Sequence, residues 1–121
     1  MRFLISVFLA GFVSLANAQE QPVIVTTPIA CSGNEPEWSL SMDNTQADFD
    51  YRGTSDMTVM LDTPAEGADW PRAFTLIGRG DSAILIVEPA ACETGPYSAR
   101  VLTQRGETPV LLTGCCLFLQ G

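Results

Sequence analysis

Three stretches of this chain alternate between apolar and polar side chains, and this period of two constrains its fold more than any other feature. From Glu37 to Asp43, Trp38, Leu40 and Met42 fall on one face, with Glu37, Ser39, Ser41 and Asp43 on the other. From Ala47 to Arg52, Ala47, Phe49 and Tyr51 alternate with Asp48, Asp50 and Arg52. From Asp56 to Asp62, Met57, Val59 and Leu61 take the inward phase. Successive side chains of a strand point to opposite faces, so such runs predict half-buried strands. Asp43-Asn44-Thr45-Gln46 is turn material, and the first two runs therefore read as a hairpin.

Further along, 72–77 and 82–88 read as strands joined by Gly78-Arg79-Gly80-Asp81. Ala83 to Val87 is apolar throughout, as expected of a strand covered on both faces. The prolines and glycine of Thr63 to Pro71, and the prolines of Pro89 to Pro96, predict loops. Residues 97–104 and 108–119 predict a last hairpin around Arg105-Gly106-Glu107. Val23-Ile24-Val25 could add a short edge strand. The expectation is all-β: a small antiparallel barrel of about seven strands, stapled by disulfides. Closure removes exposed edges; a two-sheet sandwich is the alternative.

The N-terminus reads as a secretory signal. Arg2 is followed by an apolar run from Phe3 to Leu15 and by the small-x-small site Ala16-Asn17-Ala18. That order predicts cleavage after Ala18. The run is about 13 residues, short of the roughly 20 that span a bilayer. Eighteen residues removed from 121 leave 103, which divide into an extended leader, 19–30, and a single β domain, 31–121. Cys31 lies well past the apolar run, which argues against lipidation.

All four cysteines, Cys31, Cys92, Cys115 and Cys116, survive that cleavage. An even count in a small exported chain predicts disulfides. Zinc is disfavoured because the chain has no histidine and no C-x-x-C pair. A Cys115–Cys116 bond is disfavoured because adjacent strand residues face opposite ways. Two pairings remain: Cys92 with Cys115 and Cys31 with Cys116, which is preferred, or the swap.

With Arg2 removed, five arginines face fourteen Asp and Glu, a formal charge of −9. Phosphate repels such a surface, so nucleic acid is a poor partner. A basic protein would be attracted. The predicted docking surface is the outward side of the 37–52 hairpin, carrying Glu37, Asp43, Asp48 and Asp50. An acidic surface also serves solubility alone.

The stretch Cys31-Ser32-Gly33-Asn34-Glu35-Pro36-Glu37-Trp38 is the most distinctive in the chain. Gly33-Asn34 suits a tight turn, and Pro36 suits the first residue of a strand. Trp38 suits the core. Glu35 suits an ion pair with Arg79 or Arg100, or a ligand contact. Through Gly33, Asn34, Glu35, Pro36 and Trp38 the stretch resembles the "GNEPFW" signature of uncharacterised bacterial envelope proteins and lipoproteins, sometimes found beside META-type domains. Glu37 stands where that family usually has Phe. Cys92, Gly95, Tyr97 and the Gly114-Cys115-Cys116 end continue the likeness. Glu93-Thr94-Gly95-Pro96 replaces the family's usual Asp-Gly-Met-Ser-Asp-Arg run. The resemblance implies a small extracytoplasmic β domain and no particular reaction.

Without histidine, Ser-His-Asp and Cys-His arrangements are impossible; without lysine, so are Ser-Lys dyads and Schiff bases. A carboxylate pair such as Glu35 with Asp81 leaves hydrolase chemistry as an alternative. The expectation is a periplasmic or secreted binding or structural module, without catalytic residues, cofactor or metal. Its specific form is an inhibitor of a basic cell-wall hydrolase such as lysozyme.

Overall fold

A computed structural model describes residues 28–105 and 108–119. The predicted signal, the Val23–Val25 strand and the tip residues Gly106 and Glu107 lie outside the described residues. Eight antiparallel strands follow one another as a meander and close into a barrel: β1 (Ile29–Asn34), β2 (Glu37–Met42), β3 (Gln46–Asp50), β4 (Thr54–Pro64), β5 (Arg72–Gly78), β6 (Asp81–Cys92), β7 (Gly95–Arg105) and β8 (Pro109–Phe118). The described residues form no helix. The barrel is therefore the predicted one, with one more strand than the seven expected.

That strand is β1. It takes in Ile29 and Ala30, assigned above to the leader, and runs on through Gly33 and Asn34, assigned to a turn. The turn is instead Glu35-Pro36, with Asn34 opposite Glu37, so Pro36 stands before β2 rather than starting it. β1 lacks apolar alternation because its inward positions after Ile29 are a cysteine and a glycine, residues that carry no β pattern.

The barrel interior is filled by side chains, as eight strands allow. Trp38, Leu40, Met42, Ala47, Phe49, Tyr51 and Met57 are buried, in the predicted phase. Leu61 is not: it is 60% exposed. The register of β4 against β5 slips between Val59 and Leu61. An extra residue in one strand reverses the phase of everything after it. Ala83–Val87 is covered on one face only; Ala83, Leu85 and Val87 are buried and Ile84 points out. The expected 89–96 loop is a hairpin: Cys92 pairs with Gly95 after an irregularity at Pro89, and only Glu93-Thr94 turns. Proline is tolerated at such a bulge.

Each barrel end is closed by an inward arginine. At one end Arg72, 1% exposed, donates to Asp62 at 2.8 Å and to the Asp69 carbonyl, while Trp70 packs on Tyr97 and Phe118. At the other, Arg105 donates from Nε to Asp81 Oδ2 at 3.1 Å and from Nη1 to the Tyr51 carbonyl, and lies over the Phe49 ring. Ser55 donates to the same Asp81 oxygen at 2.8 Å. Pairing and hydrogen bonding are what permit such charges inside a small core.

Candidate functional site

The distinctive motif builds the seam that closes the barrel. β1 pairs with β8, placing Cys31 opposite Cys116 and Ser32 opposite Cys115. Cys31 and Cys116 point inward and are joined, closing a sequence separation of 85. Cys115 points outward and is joined to Cys92, a separation of 23. Alternation along β8 thus sends the adjacent cysteines to opposite sides of the wall. Two disulfides, with no free cysteine among the described residues, suit an oxidising, extracytoplasmic compartment.

Trp38, 2% exposed, lies inside this seam and donates from Nε1 to the Thr113 carbonyl of β8 at 3.0 Å. Its indole leaves no room beside it. A Cβ on Gly33 would meet Trp38 Nε1 and the Thr113 carbonyl; one on Gly114 would meet the Ser32 carbonyl and the indole ring. Both glycines are needed for close approach, which accounts for Gly33, Trp38 and Gly114 together. Glu35 has no ion-pair partner among the described residues. Arg100, one of its two expected partners, pairs with Glu88 at 3.3 Å, and Arg79 forms no ion pair among the described residues. Asp81, its proposed catalytic companion, is held by Ser55 and Arg105.

On the outside of this seam lies a trough of about 670 Å³. Its floor is the outward side of β1–β3, with Ser32, Ser39 and Ser41. Asp48, Asp50 and Asp56 line one side; Thr94, Cys115 and Leu117 line the other. Two outward rows produce this. Register sets Ser32, Ser39, Asp50 and Thr54 abreast, and Ala30, Ser41, Asp48 and Asp56 abreast. Thr94 reaches the trough at the tip of the β6–β7 hairpin, which the Cys92–Cys115 bond fastens to β8.

Asp48 and Asp56 are directly opposed across β3 and β4. The Asp48 carboxyl is held above the ordinary aspartate value, chiefly by its hydrogen bond with Asp56, then by desolvation and by the charges of Asp56 and Asp43. Like charges directly opposed across strands are destabilising. Asp56 was not among the predicted surface acids; its outward phase opposite Met57 was legible, but its neighbour across the sheet was not.

The other predicted acids divide. Asp50 joins Asp48 in the trough. Glu37 lines an adjoining hollow with Asn34, Asp50 and Arg52. Asp43 is exposed, outside the trough lining, and caps the β2–β3 turn. Its Oδ1 accepts from the Thr45 and Gln46 backbone N–H groups at 2.8 and 2.9 Å, which lowers its pKa. Among the described residues no three His, Cys, Asp or Glu are grouped to hold a metal.

No protein-family model, curated protein or solved structure matches this chain. Its chemistry must be argued from the geometry alone.

The opposite half of the wall presents different chemistry. Register places Leu61, Thr75, Ile84, Leu102 and Leu111 abreast across β4–β8, all outward. The four apolar members run from 37% exposed at Ile84 to 61% at Leu111. Arg100, opposite Ile86 in the next outward row, pairs diagonally with Glu88, which lies opposite Ser98. Outside the three ion pairs, the described residues carry nine carboxylates, Glu35, Glu37, Asp43, Asp48, Asp50, Asp56, Glu66, Asp69 and Glu93, against two arginines, Arg52 and Arg79. None of these eleven projects from the outer face of β5–β8.

Proposed function

We propose that this protein is a non-catalytic binding module of the bacterial envelope whose acidic trough receives cationic side chains of a basic protein. The observation that carries this reading is the Asp48–Asp56 pair: two carboxyl groups opposed on one wall of a groove, neither in an ion pair among the described residues. A lysine or arginine entering the trough would relieve that repulsion and find three aspartates and three serines around it. A basic cell-wall hydrolase such as lysozyme is the specific partner proposed. Export fits this reading: a signal peptide cleaved after Ala18 would deliver the chain to the periplasm, where the disulfides form. Kinship with the GNEPFW-type envelope family is part of the same proposal and rests on the motif residues.

Binding of the purified, disulfide-bonded protein to a basic lysozyme, measured by calorimetry at low and high salt, tests the proposal. The affinity should fall as the Debye length shrinks from about 10 Å at 0.1 M to about 3 Å at 1 M salt. Asp48→Asn with Asp56→Asn should weaken binding at low salt. Absence of binding at low salt removes the inhibitor reading. Binding indifferent to salt and to both substitutions would place the contact elsewhere.

A further inference from the structure

We propose that the outer face of β5–β8, together with the neighbouring end of β4, is a homodimer interface, in which two copies of this chain pack sheet against sheet across a two-fold axis. The inference is independent of the trough's role. Ile84, Leu102 and Leu111 are adjacent in one outward row, which Thr75 extends to Leu61. Contiguous apolar surface of this kind marks a contact site on a soluble protein.

The charge distribution identifies the occupant. The chain carries a formal charge of −8. Among the described residues the carboxylates outside the ion pairs lie on β2–β4 and in the turns and loops, none on this face. Among the described residues the only charges here are Glu88 and Arg100, and they pair with each other. A basic partner gains nothing from a neutral face and is drawn to the trough instead. A second copy is repelled less across this face than across the acidic wall of β2–β4. A two-fold axis makes a contact self-complementary, so a face bearing one acid and one base can also exchange them: Arg100 of each copy toward Glu88 of the other. Two such sheet faces would stack about 10 Å apart, letting the leucine and isoleucine side chains interdigitate.

The salt response then has a definite sign. Net repulsion between two acidic copies opposes association, and salt screens it. Self-association should strengthen as salt rises from about 0.05 to 0.5 M, opposite to the loss expected for cation binding in the trough.

Sedimentation velocity of the purified, disulfide-bonded protein over a concentration series, at both salt levels, is the test. The expected result is a monomer–dimer equilibrium that shifts toward dimer at high salt. Leu102→Glu, which would bury two like charges near the axis, should raise the dissociation constant at least about tenfold. Leu111→Gln gives a milder second variant at the most exposed position of the row, and it should raise the constant less. Asp48→Asn, on the opposite wall, should leave the dimer intact. Circular dichroism and thermal melts establish that each variant folds. A monomer at every concentration and both salt levels overturns the proposal, as does a dimer unchanged by both Leu102→Glu and Leu111→Gln.

Discussion

On β2–β4 the outward positions carry Ser39, Ser41, Asp48, Asp50 and Asp56; the row across the end of β4 and β5–β8 carries Leu61, Thr75, Ile84, Leu102 and Leu111. Both halves belong to one closed sheet and share one core. Alternation fixes only that these residues face out; it leaves their chemistry free. The acidic half gives up stability by opposing Asp48 to Asp56, and the apolar half gives up hydration by leaving leucines in water. Neither arrangement is required by the interior, because outward side chains take no part in its packing. The difference is what the two proposed contact surfaces require: one selecting by charge, the other neutral and apolar.

The seam is where the two halves are joined, and breaking it should produce the largest effect. Replacing Cys31 and Cys116 together by alanine removes a link across 85 residues. The chain-entropy model gives a loss of about 4 kcal/mol, measurable by urea unfolding. If the two halves depend on a common closure, trough binding and dimerisation should both fail as the variant opens. Trp38→Phe keeps most of the ring but strands the Thr113 carbonyl, and should cost about 2 kcal/mol by the same measurement. The disulfide should remain intact there, which separates the indole's contribution from the covalent one.

The acidic half should reveal itself by pH. A raised folded pKa at Asp48 contributes stability that is fully present below the ordinary aspartate value and is lost as pH rises through the raised one. Asp43 has the opposite sign: its lowered pKa contributes stability above the ordinary value, lost as pH falls through the folded one. Asp48→Asn should therefore raise the melting temperature at neutral pH, with the gain shrinking in acid. Asp43→Asn should change the acid limb instead. A neutral-pH melting temperature lowered by Asp48→Asn would show that the opposed pair does not strain the sheet.

The smallest effect belongs to the apolar half. Leu111→Gln alters a side chain 61% exposed on the outside of β8, so the monomer's unfolding free energy should change by no more than about 0.5 kcal/mol. A much larger loss, measured in dilute protein, would mean that this leucine is part of the monomer's own packing.

The barrel was legible from the sequence wherever inward positions carried large apolar groups. Trp38, Leu40, Met42, Phe49 and Met57 all sit in the phase their spacing indicated. β1 escaped because Cys31 and Gly33 occupy its inward positions, and glycine records the shape of a neighbour rather than its own preference. Leu61 was misplaced because a bulge leaves no mark in an alternating pattern. Arg72 and Arg105 carried a signal that charge obscured: each continues the inward phase of its strand, Arg72 with Phe74 and Leu76, Arg105 with Thr103 and Val101.

Local sequence by itself determined that this chain forms strands, which way most side chains face, and that Cys115 and Cys116 must bond on opposite sides of the wall. All three follow from alternation, a property of the backbone within a few residues. Register, closure and the neighbour across each strand were decided only in the tertiary structure. Those depend on residues far apart in sequence: Cys31 beside Cys116, Trp38 against Thr113, Leu61 in line with Leu111. Alternation made Asp48 and Asp56 outward acids. Only the pairing of β3 with β4 made them face each other.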